Sequence, residues 1–434
     1  IVKGCISGDY MIDYGNRTIM HIDVNSAFLS WSAVYELQRG SKVDLREIPS
    51  VIGGSKEDRK GIVLAKSTPA KKYGVQTGEA LWEAKRKCPE LIIVPPNFNL
   101  YTKYSNALYE LLHEYSPKVQ RFSIDECFID YTGMEKNYGK PVEMAYKIKD
   151  RIKNELGFTV NIGIGRNKLT AKMAGDLKKP DMVHTIYPEE IPQKMWPLDV
   201  KKLFMVGRKT EKKLKEMNIL TIGDLANTDV GILTNKLKSF GKLIWEYANG
   251  IDNSPVQTQE NIITKSIGNS TTTKFDVEDY ITAHKVLLAL VESVAQRLRA
   301  TNSCCRLVTV ELKSSEFLSY SHQKKLFTPT NITCEIYKAA KELFDEMWKK
   351  EKIRQIGVRV SDLCSDEFIQ TSIYDNDIDK KQALDKTIDD IRNRYGKSSV
   401  FRAVFVDSGV PEIESGTETE DYSTANQLSQ IKSK

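Results

Sequence analysis

A chain of 434 residues, 40% apolar and 28% charged, has room for two to four domains, each with its own core. No apolar run approaches a membrane span and no basic-then-apolar stretch opens the chain, so neither a membrane-spanning nor a secreted protein is expected. The net charge of +6 decides little alone but permits local basic surfaces facing a polyanion, and seven cysteines without metal-type spacing fit reduced thiols in the cytoplasm.

Residues 1–16, rich in Gly and Asp, read as a loosely ordered leader. A short apolar strand over 18–24 carries Asp23 near its end, and a helix is expected from Ser26 through Ala27 and Phe28 to Tyr35. The first turn of that helix offers free N–H groups just past Asp23, a natural seat for phosphate. A strand follows at 61–65, then a short helix over 68–75, with Thr68 at its start and Gly74 as its stop. Lys71 and Lys72 there either meet a triphosphate or simply face water. From 101 to 115 the spacing of Leu108, Leu111 and Leu112 is helical.

The stretch 121–130 dominates the chain. Phe122 and Ile124 alternate with Ser123 and Asp125, and Cys127-Phe128-Ile129 resumes the apolar pattern, which predicts a β-hairpin with Asp125 and Glu126 at its turn. Adjacent acids repel each other and resist desolvation, so they need a counter-ion. Hard oxygen ligands gathered at one point suit Mg²⁺. Asp23 supplies the third carboxylate, and a two-metal site built from Asp23, Asp125 and Glu126 is the working expectation.

A helix over 141–156 and a strand over 158–165 come next. Gly163 and Gly165 end that strand, and the basic segment 166–174 is expected as a helix near the site. With a further strand at 183–186, helices and strands without a regular βαβ repeat indicate an α+β, palm-like sheet.

Past residue 188 the character changes. Seven basic residues and one acid fall between Lys201 and Lys215. Gly207-Arg208-Lys209 opens a helix carrying Lys212, and a second helical hairpin is expected near 237–242. A glycine turn opening a helix can present N–H groups to a DNA phosphate, whereas a charged bundle facing water is the plainer alternative. Residues 251–262 read as a linker. Lys265 and Ser266 begin a small α/β module, with a helix over 279–299, strands near 306–313 and 317–326, a helix near 332–349 and a strand near 354–362. Beyond 366 the chain is partly linear. It contains the peptide Gln370-Thr371-Ser372-Ile373-Tyr374, a helix over 380–395 and a Ser-, Thr- and Glu-rich end expected to be disordered.

Taken together, Ile22-Asp23-Val24-Asn25-Ser26-Ala27-Phe28, Ala70-Lys71-Lys72-Tyr73-Gly74-Val75, Phe122-Ser123-Ile124-Asp125-Glu126 and the block 161–172 resemble the Y family of DNA polymerases. This is the translesion class, and the chain is most similar to its bacterial UmuC-like members of Gram-positive type, ahead of the shorter DinB-like ones. The resemblance implies a right-hand polymerase with a ferredoxin-like palm at 17–28 and 97–186 and small fingers at 29–96. It also implies a helix-hairpin-helix thumb at 187–251, a linker at 252–262, an α/β little finger at 263–365 and a C-terminal tail at 366–434. It further implies template-directed transfer of deoxynucleotides from their triphosphates to a primer 3′-hydroxyl, including opposite damaged bases. Asp23 and Asp125 would bridge two Mg²⁺ ions, Glu126 would hold the primer-side ion and the Val24 carbonyl would complete the nucleotide-side one. Ser26 and Ala27 would give N–H groups to the triphosphate, with Thr68, Lys71 and Lys179 at the family's phosphate contacts. Phe28 would be the steric gate against a 2′-hydroxyl; outside this motif it would read as a core residue.

The chain departs from the family pattern at several places. Thr68 stands where Tyr is frequent and Lys71 where Arg is, so a point charge replaces a bidentate fork. Lys209 replaces a second thumb glycine. Gln370, Ser372, Ile373 and Tyr374 are similar to the peptide by which bacterial polymerases bind the β sliding clamp, with Ile-Tyr for Leu-Phe; a plain linker is the alternative. A monomer working in the cytoplasm is expected. A catalytically idle scaffold that binds DNA and clamp would have no need of all three carboxylates, and a nucleotidyl cyclase would leave the thumb and little finger without a purpose.

Overall fold

The computed structural model describes residues 17–55, 59, 61–258, 264–367 and 377–406. Its centre is a five-stranded sheet in the order Val119–Arg121, Glu126–Asp130, Ile19–Val24, Val160–Gly165, Val183–Ile186. The apolar run at 19–24 takes the middle place and is buried along its whole length, as a strand covered on both faces must be. It pairs antiparallel with both neighbours, placing Asp23 opposite Glu126 on one side and opposite Asn161 on the other.

Alternation along this strand separates two faces. Met20, Ile22 and Val24 pack with Leu108 and Leu112 of the helix Phe98–His113 and with Ile148 and Ile152 of the helix Pro141–Leu156. Ile19 packs with Phe128 and with Ala171 of the helix Lys168–Gly175 on the opposite face, which is also the face of His21 and Asp23. That helix lies unusually close to the sheet, and Gly163 and Gly165 make this possible. A Cβ at Gly163 would stand 2.0 Å from the Ala171 carbonyl oxygen, and one at Gly165 would stand 2.2 Å from the Thr170 hydroxyl. The Gly-x-Gly of the sequence is therefore a packing device inside the strand. Asn167 caps the helix, its side-chain oxygen accepting the Thr170 N–H at 2.8 Å.

A small sheet, Val63–Lys66, Ser50–Gly53 and Ile92–Val94, packs through Ile52 and Ala65 onto Leu29 and Ala33 of the helix Ala27–Gln38. On the other flank, helices Arg208–Glu216, Ile222–Asn227, Val230–Leu237 and Ser239–Ala248 gather around Leu214, Leu225, Leu233 and Ile244, and this core is continuous with Leu169 and Met173. Farther on, a four-stranded antiparallel sheet in the order Ser319–Thr330, Ser303–Ser314, Ile353–Ser365, Ser266–Val277 carries helices Tyr280–Ala300 and Thr333–Met347 on one face. Its strands run longer than the apolar pattern suggests, because polar residues at their ends keep the ladder.

The expected linker and the expected C-terminal helix are both fastened in place. Leading away from the helical flank, Asp252 accepts the Leu169 N–H at 3.2 Å and the Gln257 N–H reaches the Gln120 side chain at 3.0 Å. Val256 is buried with Ile19 and Phe128, so the first half of the linker is a strap on the central sheet. The helix Ile378–Tyr395 docks on the four-stranded unit through Arg299, which binds Asp389 at 2.6 Å, and through Asp385, which accepts the Thr333 N–H at 2.7 Å. The leader 1–16 and the peptide containing Gln370, Ser372, Ile373 and Tyr374 lie outside the described residues.

Candidate active site

The three acids predicted from sequence converge on one face of the central sheet. Asp23, the last residue but one of the middle strand, stands directly opposite Glu126, the first residue of its neighbour. The Val24 N–H donates to the Asp125 carbonyl at 3.0 Å, which locks the turn against the strand end. Phe122 and Ser123 both donate their N–H to the Glu126 carbonyl, at 2.9 and 3.2 Å, and close the hairpin.

Each carboxylate has one oxygen engaged and one without a hydrogen-bond partner among the described residues. The Ser123 hydroxyl donates to Asp125 Oδ1 at 2.6 Å. Lys179 pairs with Asp23 Oδ2 and, at 2.8 Å, with Asp176. Lys172 donates to Glu126 Oε2 at 2.6 Å, and His21 Nε2 approaches the same oxygen at 3.2 Å. Asp125 has no basic partner among the described residues. Burial, reinforced by the charges of Asp23 and Glu126, lifts its carboxyl above the ordinary range despite the Ser123 hydroxyl. Burial also works against ionised Glu126, but His21 and then Lys172 outweigh it and hold that carboxyl down at about 2. Lys179 loses by burial and gains more from Asp23 and Asp176, so its ammonium is held more tightly than usual.

Among the described residues no three His, Cys, Asp or Glu side chains already enclose a single cation point. The donor set nonetheless fits hard divalent cations, with three neighbouring carboxylates, a free oxygen on each and uncompensated negative charge at Asp125. Lys172 and Lys179 bring positive charge to Glu126 and Asp23.

Beyond Asp23 the chain turns sharply. Ser26 adopts a left-handed conformation with φ 49, costly for a residue with a side chain. The first bond of the following helix runs from the Ser30 N–H to the Ser26 carbonyl at 2.9 Å, so the N–H groups of Ala27 and Phe28 are not used within the helix. Phe28 is half-buried, stacked on Tyr101 at 4.5 Å and 11° and edge-on to Phe98 at 6.0 Å.

The other candidates make no hydrogen bond or ion pair with the carboxylates among the described residues. Thr68 and Lys71 are exposed on the helix Thr68–Lys72 beside the small sheet. Gly207 is the N-cap of the helix Arg208–Glu216, with Arg208, Lys209 and Lys212 exposed and without ion pairs among the described residues. Lys265 is exposed just before the strand that Ser266 begins.

Sequence reasoning missed His21, Lys172 and Tyr101. Strand alternation already put His21 on the Asp23 face. The basic segment 166–174 is expected from sequence as a helix near the site, but nothing local singles out Lys172 within it, because its reach to Glu126 depends on how closely the helix sits.

Comparison with known proteins decides the family. Models of the impB/mucB/samB family, its C-terminal domain and the IMS family HHH motif match residues 22–176, 264–373 and 188–219. DNA polymerase IV of Clostridium acetobutylicum is 49% identical over 397 residues, covering 90% of this chain and 99% of the relative. The chain belongs to the Y family of DNA polymerases. DNA polymerase IV of Acetivibrio thermocellus is 40% identical over 403 residues, covering 92% of this chain and all of the relative (100%). Among solved structures, a Y-family DNA polymerase chimera of Dbh and Dpo4 superposes with a TM-score of 0.69 at 25% identity, covering 80% of this chain and 99% of the chimera. The insertion ternary complex of Dbh DNA polymerase shares the fold at a TM-score of 0.58 and 24% identity, covering 79% of this chain and 98% of that one. This Y-family member is therefore a DNA-directed DNA polymerase of the translesion class, a metal-dependent enzyme that binds DNA and deoxynucleotides. The segment 188–219, which includes the helix Arg208–Glu216, carries the family's helix-hairpin-helix motif, and the four-stranded unit is its little finger. No helix among the described residues is long and apolar enough to cross a membrane.

Proposed function

We propose that Asp23, Asp125 and Glu126 hold two Mg²⁺ ions, with the Val24 carbonyl as a further ligand, and that nucleotidyl transfer occurs between them. The observation that carries this reading is the placement of Asp23 directly opposite Glu126, with one oxygen of each carboxylate left open. When bound, such ions raise the nucleophilicity of the primer hydroxyl and offset charge on the departing pyrophosphate. The protein's part is to position and to supply charge. Asp23 and Asp125 would each contribute to holding both ions, and Glu126 would hold the primer-side one. The N–H groups of Ser26 and Ala27 meet the triphosphate, joined by Thr68, Lys71 and Lys179, the last leaving Asp23 as the nucleotide arrives. Phe28, backed by Tyr101, lies beneath the deoxyribose and excludes a 2′-hydroxyl.

Around this site the palm comprises 17–28 and 97–186, the fingers 29–96, the thumb 187–251 and the little finger 263–365. Primer-template DNA is held by Gly207, Arg208, Lys209 and Lys212 of the thumb and by Lys265 and Ser266, largely through phosphates. Gln370, Ser372, Ile373 and Tyr374 bind a β sliding clamp, and the enzyme works as a monomer in the cytoplasm. The test is Asp125→Ala in primer extension with Mg²⁺. Extension should be abolished while primer-template affinity stays within a few-fold, and retained synthesis would overturn the assignment.

A further inference from the structure

Glu126 is unusual among the three acids in carrying two donors on a single oxygen. Lys172 Nζ at 2.6 Å and His21 Nε2 at 3.2 Å both reach Oε2, and Oε1 is left without a partner among the described residues. His21 is fully buried on the middle strand, so its position is fixed by the sheet. Lys172 rises from the helix that Gly163 and Gly165 allow to lie against that sheet. Its ammonium also stands 5.4 Å from the Phe122 ring centroid, at the mouth of the carboxylate hairpin, and 5.6 Å from that of Phe204, which belongs to the helical flank. Phe204 touches Phe122 at 6.1 Å and stacks on Tyr247 of the thumb at 6.3 Å and 22°. One cation is thus shared by a carboxylate, a palm aromatic and a thumb aromatic.

We propose that Lys172 is a positioning residue that fixes Glu126 through Oε2, turns Oε1 toward the primer-side ion, and links that ligand to the seating of the thumb through Phe204. This rests on the reading of Glu126 as a metal ligand. Without Lys172, the carboxylate keeps only the longer His21 contact and rotates more freely. The acidic cluster also loses the cation that competes with a divalent ion for it, so metal binds more tightly but less productively.

The experiment uses the full chain with Lys172→Met, which keeps the side-chain length between the two rings, and Lys172→Arg, which keeps the charge. In single-nucleotide insertion, Lys172→Met should lower kcat by about 10-fold or more, the scale of a lost charge-assisted hydrogen bond, with nucleotide KM and primer-template Kd within about 2-fold. Lys172→Arg should recover most of the kcat. Mn²⁺ titration of the DNA-free protein, followed by electron paramagnetic resonance, should show several-fold tighter binding to Lys172→Met than to the parent, an effect that simple loosening of the fold would not give. Adding Phe204→Leu to Lys172→Met should cost less than it does in the parent, because the link is already cut. A parental kcat in Lys172→Met, unchanged Mn²⁺ affinity or strict additivity with Phe204→Leu would each overturn the proposal. Glu126→Gln separates the two levels. If it keeps parental Mn²⁺ affinity and activity, the metal-ligand reading itself fails; if it loses both while Lys172→Met changes neither, only the role of Lys172 falls.

Discussion

Phe28→Ala gives the clearest test of how the pocket selects its sugar. The ring is half-buried, stacked at 4.5 Å on Tyr101 and flanked at 6.0 Å by Phe98. Truncating a fully buried Phe costs about 3–5 kcal/mol. Partial exposure reduces this, while the stack adds about 0.5–1.5 kcal/mol, so a loss of about 2 kcal/mol in stability is expected. Selectivity changes for a different reason. Tyr101 is buried behind the ring, so a 2′-hydroxyl pressed against Phe28 cannot push it aside, and overpacking of this kind costs about 1–3 kcal/mol. That range corresponds to about 5- to 150-fold in relative kcat/KM. Single-nucleotide insertion with dCTP and CTP opposite template G measures the ratio, and thermal denaturation measures the stability. Phe28→Ala should cut deoxy-over-ribo selectivity by about 10-fold or more, chiefly through faster CTP insertion. A folded variant with an unchanged ratio would refute the gate and leave Phe28 as a packing residue.

Other substitutions probe the surroundings. Asp125→Asn should raise thermal stability at pH 7 in metal-free buffer. Because burial and its acidic neighbours lift the Asp125 carboxyl in the folded state, ionisation costs more there than in the unfolded chain. The gain should vanish as pH falls below the ordinary carboxylate range, and its absence at pH 7 would contradict the electrostatic account. Arg299→Ala leaves Asp385 and Asp389 without their shared cation and should cost the docked helix about 3 kcal/mol. Hydrogen exchange should speed up over 378–395, and unchanged protection would show that the ion pairs do not hold it. Deleting 370–374 should weaken clamp pull-down without changing primer extension in the clamp's absence; an unaltered pull-down would remove that peptide from the reading.

The sequence revealed most where a single periodicity governs an element. The helix expected over 141–156 spans Pro141–Leu156, and the strand expected over 183–186 spans Val183–Ile186, each with its burial set by its own apolar residues. The carboxylate turn was legible because hairpin chemistry is local. Ser266–Val277 was harder to read as a strand, since Ser266, Gly268, Ser270 and Thr272 alternate on its open face and only Ile267, Thr273 and Val277 of its residues are buried. Lys172 and Val256 were silent for a related reason. Each acquires its role from a distant segment, Lys172 from the hairpin and Val256 from the underside of the sheet. No pattern in the flanking residues encodes such a meeting.

The strap formed by Asp252 and Val256 has a practical consequence for building hybrid enzymes. A graft joined before Asp252 would discard the Leu169 and Gln120 attachments and strip Ile19 and Phe128 of their cover, harming the donor of the catalytic half rather than the module being exchanged. The safe junction lies after Gln257, where an incoming module inherits an anchor already tied to its host.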